Sequence, residues 1–209
     1  MPLVLASASP RRAALLRSIG VDPVIAPVDC DERWIAGETP IEYTRRLAGA
    51  KAALADAADA VVLAADTTVW IDPDREPLGK PADREEARAM LRALMRAEVH
   101  QVTTAFAIVD RRADAPVVRR GETTTRVWMR SVDDAALERH LDAEEWWDKA
   151  GGYAIQGLAA GLVRRIDGSY TGVVGLPLAE VAEALEARGP IEPRAPRDPA
   201  GAVPLEGAG

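Results

Sequence analysis

The chain has 209 residues, 48% of them hydrophobic, and a formal net charge of -7 at pH 7. This size and apolar content predict one large domain or two small lobes around a continuous core. The negative charge repels nucleic acid polymers, and no apolar stretch reaches the roughly 20 residues that a bilayer span needs. The only cysteine, Cys30, has no disulfide partner, so we expect a cytoplasmic protein that neither enters a membrane nor is exported.

Apolar runs alternate with amphipathic segments in the first third of the chain, which predicts strands and helices in turn. We predict strands over residues 3–7, 23–28 and 60–71, and helices over residues 11–19 and from 39 to about 58. Ser9 followed by Pro10 is typical of a helix N-cap and first position, and Thr39 with Glu42 has the spacing of a capping box. The uninterrupted apolar run at 61–65 favours a central strand covered on both faces.

The rest of the chain predicts a hairpin, a short strand and three further helices. We predict helices over residues 83–96, 133–142 and 177–187, an antiparallel pair over 99–109 and 117–129, and a strand over 162–166. A glycine-rich segment, 148–157, precedes that strand. From residue 190 onward, proline, alanine, glycine and arginine dominate without apolar periodicity, so we expect a single domain over 1–189 and a disordered tail over 190–209.

Two arginines in the first turn of the first predicted helix indicate an anion site. Arg11 and Arg12 lie at the positive end of the helix dipole, where acidic residues are favoured and cations cost stability. A bound anion would reverse that cost, and Ser7 and Ser9 supply hydroxyl donors beside it. We interpret the segment as a phosphate site, and two surface arginines near a turn are the open alternative.

Asp66 is a candidate general base. It follows the central apolar run, and we expect it at a strand end, where open α/β sheets place their ligand crevices. A low-dielectric wall raises the proton affinity of a carboxylate and nearby cations lower it, so its protonation can be tuned for water activation. A cap for the turn before Thr67 is the alternative interpretation, and the residue type alone favours neither.

Two lysines are candidate phosphate ligands. Lys80 is held between a glycine and a proline after the central strand, and Lys51 lies on the second predicted helix. The segment around Lys80 is not a P-loop, because it lacks the required first glycine and the final hydroxyl residue. Either lysine alone can also be a solvated surface charge.

Other catalytic centres find little support. The two histidines, His100 and His140, lie in no suggestive context, and no Cys/His cluster indicates zinc. Acid–base chemistry is therefore left to carboxylates and lysines. A hard ion such as Mg²⁺ or Mn²⁺, with Co²⁺ as a further option, fits a site made of carboxylates and substrate phosphates.

Five sequence blocks, taken together, resemble the Maf family of nucleotide pyrophosphatases. The blocks are Ser7-Ala8-Ser9-Pro10-Arg11-Arg12, Ala65-Asp66-Thr67, Leu78-Gly79-Lys80-Pro81, Asp148-Lys149-Ala150-Gly151-Gly152-Tyr153-Ala154-Ile155-Gln156-Gly157 and Val174-Gly175-Leu176-Pro177-Leu178. The resemblance spans about residues 3–185, with the blocks in the family's order. The resemblance implies an elongated mixed α/β fold, with a central mixed sheet flanked by helices and two lobes around a deep cleft. It also implies a homodimer, as is common in the family, that splits nucleoside triphosphates between the α and β phosphates.

The resemblance further implies roles for particular residues. Asp66 is the expected proton acceptor and, with Glu32, the expected contact for a divalent metal ion. The expected phosphate ligands are Ser7, Arg11, Arg12, Lys51 and Lys80. The positions associated with base choice are Arg11, Thr67 and Gln156, and the block around Gln156 is similar to the branch that acts on dTTP and UTP. Its amide offers one donor and one acceptor for the O4/N3–H edge of uracil or thymine.

The sequence departs from the family pattern at one position and leaves alternatives open. Gly172 stands where asparagine is frequent in the family. A non-catalytic nucleotide sensor that regulates cell division, rather than an enzyme that cleans the nucleotide pool, would use the same cleft. A pyrophosphatase for modified purine nucleotides is a second alternative, and a purely structural interaction protein a third.

Overall fold

A six-stranded mixed β-sheet forms the centre of the molecule. The structure is a computed structural model and describes residues 3–112 and 116–187. The strands are β1 (Leu3–Leu5), β2 (Val24–Ile25), β3 (Val61–Trp70), β4 (Val99–Asp110), β5 (Val117–Met129) and β6 (Val163–Asp167). Their order is β2-β1-β3-β4-β5-β6. The first three strands in that order run parallel, and β3 through β6 pair antiparallel.

Helices flank this sheet. They are α1 (Pro10–Ser18), α2 (Pro40–Leu54), α3 (Arg84–Ala97), α4 (Asp134–Asp142), α5 (Tyr170–Val174) and α6 (Leu178–Glu186). The predicted capping box of α2 is confirmed, because the Thr39 hydroxyl accepts from the backbone of Glu42 while the Glu42 carboxylate accepts from that of Thr39. The predicted mixed α/β fold class is confirmed as well. Within the described residues, no helix has the length and apolar character needed to span a membrane.

Several predicted boundaries differ from the structure. The first two strands are shorter than predicted, and α2 ends at Leu54 rather than near residue 58. Ala55 has an extended backbone conformation, which ends the helix. The side chain of Arg111 donates hydrogen bonds to carbonyls of the last helical turn, including those of Ala52 and Ala53. The closing helix begins at Leu178 with Pro177 as its N-cap, one residue later than predicted.

One helix is absent from the sequence prediction. α5 has only five residues, too few for an apolar period to show, and it is started by the Ser169 hydroxyl, which accepts from the backbone N–H of Gly172. The predicted tail over residues 190–209 lies outside the described residues.

The hydrophobic core has a separate part at each end of the sheet. At one end, α3 and α4 pack on the end of β3 around Val69, Leu91 and Leu141. At the other end, α1 and α6 cover one face of the sheet and α2 covers the opposite face. The cleft described below is lined by apolar residues from both ends, including Ala6, Val28, Val69 and Tyr153.

Candidate active site

One cleft, with a volume of about 530 Å³, gathers every site residue predicted from the sequence. They are Ser7, Arg11, Arg12, Glu32, Lys51, Asp66, Thr67, Lys80 and Gln156. These residues come from six separate segments of the chain, so their convergence depends on the tertiary fold.

The cleft arises because β1 is short. The backbone N–H of Ala6 donates to the Leu63 carbonyl, and from there the chain leaves the sheet while β3 continues to Trp70. The next contact on this side of β3 is the backbone bond from Leu78 N–H to the Val69 carbonyl. Because hydrogen-bonding directions alternate along a strand, the backbone groups of Ala65 and Thr67 face the gap between these two contacts.

Asp66 lies in the middle of a strand, which corrects the prediction that it stands at a strand end. Asp66 pairs with Ala105 in the β3–β4 ladder, and β3 continues for four more residues to Trp70. What ends near this position is the parallel partner β1, whose last paired residue is Leu5, opposite Leu63. The crevice next to Asp66 therefore depends on the end of the neighbouring strand.

A lysine joins two carboxylates at the base of the cleft. Lys51 Nζ on α2 lies 2.7 Å from Asp66 Oδ1 and 2.6 Å from Glu32 Oε1. The side chains of Lys51 and Asp66 are only 12% and 11% exposed, whereas that of Glu32 is 54% exposed. Lys51 and Asp66 are thus nearly buried, and Glu32 is the exposed member of the three.

Burial and charge act in opposite directions on this pair. Burial raises the pKa of Asp66, and the positive charges of Lys51 and Arg12 only partly oppose it, so the pKa lies above its ordinary value. Burial lowers the pKa of Lys51, but the charges of Asp66 and Glu32 outweigh it and raise the pKa of the amine. Lys51 therefore stays charged, and Asp66 has a greater proton affinity than a surface carboxylate.

Arg12 is held rigidly by groups around the cleft. Its Nε donates to the Gly175 carbonyl at 2.8 Å, and its two Nη atoms donate to Ser7 Oγ at 2.9 Å and Thr67 Oγ1 at 3.1 Å. The guanidinium thus ties the start of α1 to β3 and to the turn after α5. It has five N–H donors, so two remain for a ligand.

Arg11 differs from its neighbour. Within the described residues its side chain has no hydrogen bond, and its pKa is lowered by burial, an effect that the charge of Asp148 opposes. The first turn of α1 contains no acidic residue, so these arginines stand at the positive end of the helix dipole with no carboxylate of that turn to offset them. The Ser9 side chain makes no capping hydrogen bond, and only its backbone N–H donates to Ser7 Oγ.

The opposite wall carries a second group of charges. Lys80 Nζ lies 2.6 Å from Asp148 Oδ1, with both side chains more than half exposed. Lys149 also lines the cleft. Burial, and to a smaller extent the positive charge of Arg11, lowers the pKa of its amine. Asp148 and Lys149 were not predicted as site residues, although both belong to the sequence block that ends at Gly157.

Gln156 is exposed in the cleft at the start of a tightly anchored turn. Glu145 Oε2 accepts the backbone N–H of Leu158 at 2.6 Å. A Cβ atom at Gly157 would lie 1.9 Å from the same oxygen. The absence of a side chain at Gly157 therefore lets Glu145 anchor the turn next to Gln156.

The histidines do not line the cleft. His100 is fully buried, with Nε2 at 2.7 Å from the hydroxyl of Tyr153, and burial lowers its pKa to about 4. His140 is also buried, and burial lowers its pKa as well. Acid–base chemistry in the cleft thus falls to carboxylates and lysines.

A divalent ion has a restricted choice of protein ligands here. Among the described residues, no group of three or more His, Cys, Asp or Glu side chains could hold a metal ion. Asp66 and Glu32 nevertheless both contact one nitrogen atom, so a single small cation can reach both carboxylates. Mg²⁺ is often held by one or two carboxylates together with substrate phosphates, and the two acidic residues fit that pattern.

The chain is similar to several known proteins. The family model described as Maf-like protein matches residues 2–188. A dTTP/UTP pyrophosphatase from Cereibacter sphaeroides is 49% identical, over 90% of this chain and 96% of that protein. One of the same name from Roseobacter denitrificans is 47% identical, over 89% of this chain and 96% of that protein. A crystal structure of a nucleoside-triphosphatase, dITP/XTP pyrophosphatase, from Mycobacterium abscessus is 16% identical, with a TM-score of 0.38 over 62% of this chain and 73% of the other.

Proposed function

The chain belongs to the Maf family, and we propose that it hydrolyses dTTP and UTP to the nucleoside monophosphate and pyrophosphate. The observation that carries the proposal is the placement of a buried carboxylate with raised pKa, Asp66, in a cleft that also holds the side chains of Arg11, Arg12, Lys51, Lys80 and Lys149. A triphosphate needs such cations, and hydrolysis needs a base close to them.

In the proposed mechanism, Asp66 accepts a proton from the water that attacks the α phosphorus. Its raised pKa makes it a stronger base than a surface aspartate, and the positive charges of Lys51 and Arg12 favour its ionised form. Arg11 and Lys80 neutralise charge that develops on the leaving pyrophosphate. Arg12 contributes through its free N–H groups, already oriented by its three hydrogen bonds.

We further propose that Asp66 and Glu32 hold a divalent cation, Mg²⁺ or Mn²⁺ or, less commonly, Co²⁺. Such an ion, when bound, offsets the charge of the triphosphate and lowers the pKa of bound water. Lys51, which contacts both carboxylates, keeps them close together and oriented toward the cleft.

Base choice is proposed to depend on Arg11, Thr67 and Gln156. The support is that all three line the cleft beside the phosphate-binding cations, and that Gln156 is exposed there. Its amide can donate to O4 of uracil or thymine and accept from N3–H.

The test is pyrophosphate release by the purified protein with Mg²⁺ or Mn²⁺ against dTTP, UTP, CTP, GTP, ATP, ITP and 7-methyl-GTP. We expect turnover of dTTP and UTP, and a loss of roughly 100-fold or more in Asp66→Asn with nucleotide binding retained. Binding without turnover of any nucleotide would support the non-catalytic sensor instead, and preference for ITP or 7-methyl-GTP would support the purine alternative.

Three further proposals come from the sequence. Residues 1–189 form one domain, two copies associate as a homodimer, and the protein acts in the cytoplasm, where its nucleotide substrates are. Removal of residues 190–209 should leave the rate of pyrophosphate release unchanged, and sedimentation analysis measures the mass of the assembly.

A further inference from the structure

A chain of hydrogen bonds runs from the cleft into the sheet. Arg12 donates to Thr67 Oγ1, which lies 2.9 Å from Thr104 Oγ1 on β4. Thr104 Oγ1 in turn donates to the Gly172 carbonyl at 2.7 Å. Thr67 and Thr104 stand directly opposite each other in the β3–β4 ladder, so their side chains share one face of the sheet.

The number of hydroxyl protons determines which group donates in each hydrogen bond between Arg12 and Gly172. A carbonyl oxygen can only accept, so the single hydroxyl proton of Thr104 is committed to Gly172. The bond between the two threonines must then use the proton of Thr67. Thr67 already accepts from Arg12, and therefore keeps only one free lone pair.

Among the described residues, no alternative partner for the Thr104 hydroxyl lies on its other side. Thr123 stands opposite it on β5, yet the Thr123 hydroxyl is buried and, within the described residues, makes no hydrogen bond. That hydroxyl would lie 2.5 Å from a Cβ atom at position 172, so it fills the place where a side chain would begin at Gly172. The carbonyl of Gly172 remains the acceptor for Thr104, which is itself fully buried.

We infer that Thr104 is a specificity-determining positioning residue: it fixes the Thr67 hydroxyl as an acceptor, which selects a nucleobase that presents an N–H at this point. The inference rests on the proposed function, whose substrates both carry such a group at N3, and that N–H is shared as a bifurcated hydrogen bond between the Thr67 hydroxyl and the Gln156 carbonyl oxygen. Cytosine has an unprotonated N3, and two acceptors facing each other repel. Phosphate oxygens are acceptors too, so Thr67 in this state disfavours a phosphate contact.

UTP and CTP are the matched probes, because their bases differ only in N3 protonation and in the group at C4. The ratio of kcat/KM for UTP to that for CTP is measured in wild type, Thr104→Val and Thr104→Ser. In Thr104→Val the Thr67 proton is released and can rotate toward the base, so we expect the ratio to fall roughly tenfold, as a buried hydrogen-bond mismatch is relieved. Thr104→Ser restores the hydroxyl and should keep the wild-type ratio.

Thr103→Val is the control for a lost buried hydroxyl. Thr103 lies on the opposite face of β4, bonded to Trp70 and Thr124, and does not line the cleft. The Thr103→Val substitution should leave the UTP-to-CTP ratio of kcat/KM unchanged. If Thr104→Val does not fold, Thr104→Ala releases the same proton with the same expected ratio. A purely structural role predicts an equal loss for both nucleotides, and an unchanged ratio in Thr104→Val would overturn the inference.

The same variants separate this inference from the proposed function. Dissociation constants for UTP and CTP, measured by calorimetry in an Asp66→Asn background, require no turnover. If wild type releases no pyrophosphate from either nucleotide, the proposed function fails, while the ratio of the two dissociation constants still decides the role of Thr104.

Discussion

Lys51 Nζ contacts Asp66 Oδ1 at 2.7 Å, and both side chains are nearly buried at the base of the cleft. The pair places a fixed positive charge against the proposed base. Removing the lysine would leave Asp66 as a buried charge without its ion-pair partner, so the lysine affects the protonation of the aspartate as well as its position.

Lys51→Met should move the acid limb of the pH–rate profile. Activity requires ionised Asp66 and is lost as the pH falls through its pKa, which burial already raises and Lys51 opposes. Without Lys51 the pKa rises further, so we expect the limb of kcat/KM to shift to higher pH by about one unit. Lys149→Met also removes a cleft lysine, but its charge does not influence Asp66, so its limb should stay in place. An unmoved limb in Lys51→Met would argue against Asp66 as the titrating base.

Arg11 and Arg12 should respond differently to the same substitution. Arg12→Lys breaks the hydrogen bonds to Ser7, Thr67 and Gly175, because a lysine cannot reproduce the planar fork. We expect a loss of about 2 kcal/mol in the free energy of unfolding, together with weaker nucleotide binding. Arg11→Lys should weaken binding with almost no change in stability. Thermal unfolding and calorimetry with dTTP measure both effects, and equal melting temperatures for the two variants would contradict the assignment.

His100 should make the fold sensitive to mild acid. Its pKa is near its ordinary value in the unfolded chain and is lowered to about 4 in the folded protein. Above about pH 6.5 the ring is neutral in both states and has no effect, whereas below that only the unfolded chain gains the proton. The free energy of unfolding should therefore fall by about 3 kcal/mol from this residue between pH 6.5 and 4.

His100→Gln is the matched variant, because it keeps a polar group near Tyr153 but does not titrate. Urea unfolding at several pH values should show a shallower decline than in wild type. An identical pH dependence in the two proteins would mean that His100 is protonated equally well in the folded state.

Gln156→Glu should change which base is preferred. A carboxylate can only accept, so it no longer donates to O4 of uracil or thymine, while it still accepts from the amino group of cytosine. We expect kcat/KM for dTTP and UTP to fall roughly tenfold or more, with a smaller loss for CTP. Steady-state pyrophosphate release with the three nucleotides measures the change. A uniform loss across all three would mean that Gln156 does not contact the base edge.

The elements with local signals are the ones that sequence predicts well. The caps of α2 and α3 each depend on a side chain that accepts from the backbone N–H three residues later, and both are present in the structure. The lengths of β1 and β2 and the existence of α5 depend on contacts with distant segments. Small residues follow Leu5 and do not by themselves mark the last residue of the strand, which is set by where pairing with β3 stops.

The residues of the site also differ in whether the sequence alone identifies them. The blocks that carry Arg12, Asp66 and Lys80 are recognisable along the chain, and the fold brings them into one cleft. The partner of Thr67 could not be identified in advance, because Thr104 becomes its neighbour only through the register of β3 against β4. Asp148 is a similar case, since its ion pair with Lys80 joins two loops far apart in sequence.

The three-residue length of β1 has a consequence for how the cleft can change. The substrate space is an unfinished part of the sheet, bounded by the last bond of β1 and the bond at Val69. A strand that continued past Leu5 in the same register would pair with β3 from Ala64 to Thr68 and complete the sheet. The sheet would then have more backbone hydrogen bonds, but the substrate cleft would be filled. Selection for function therefore has to keep β1 short.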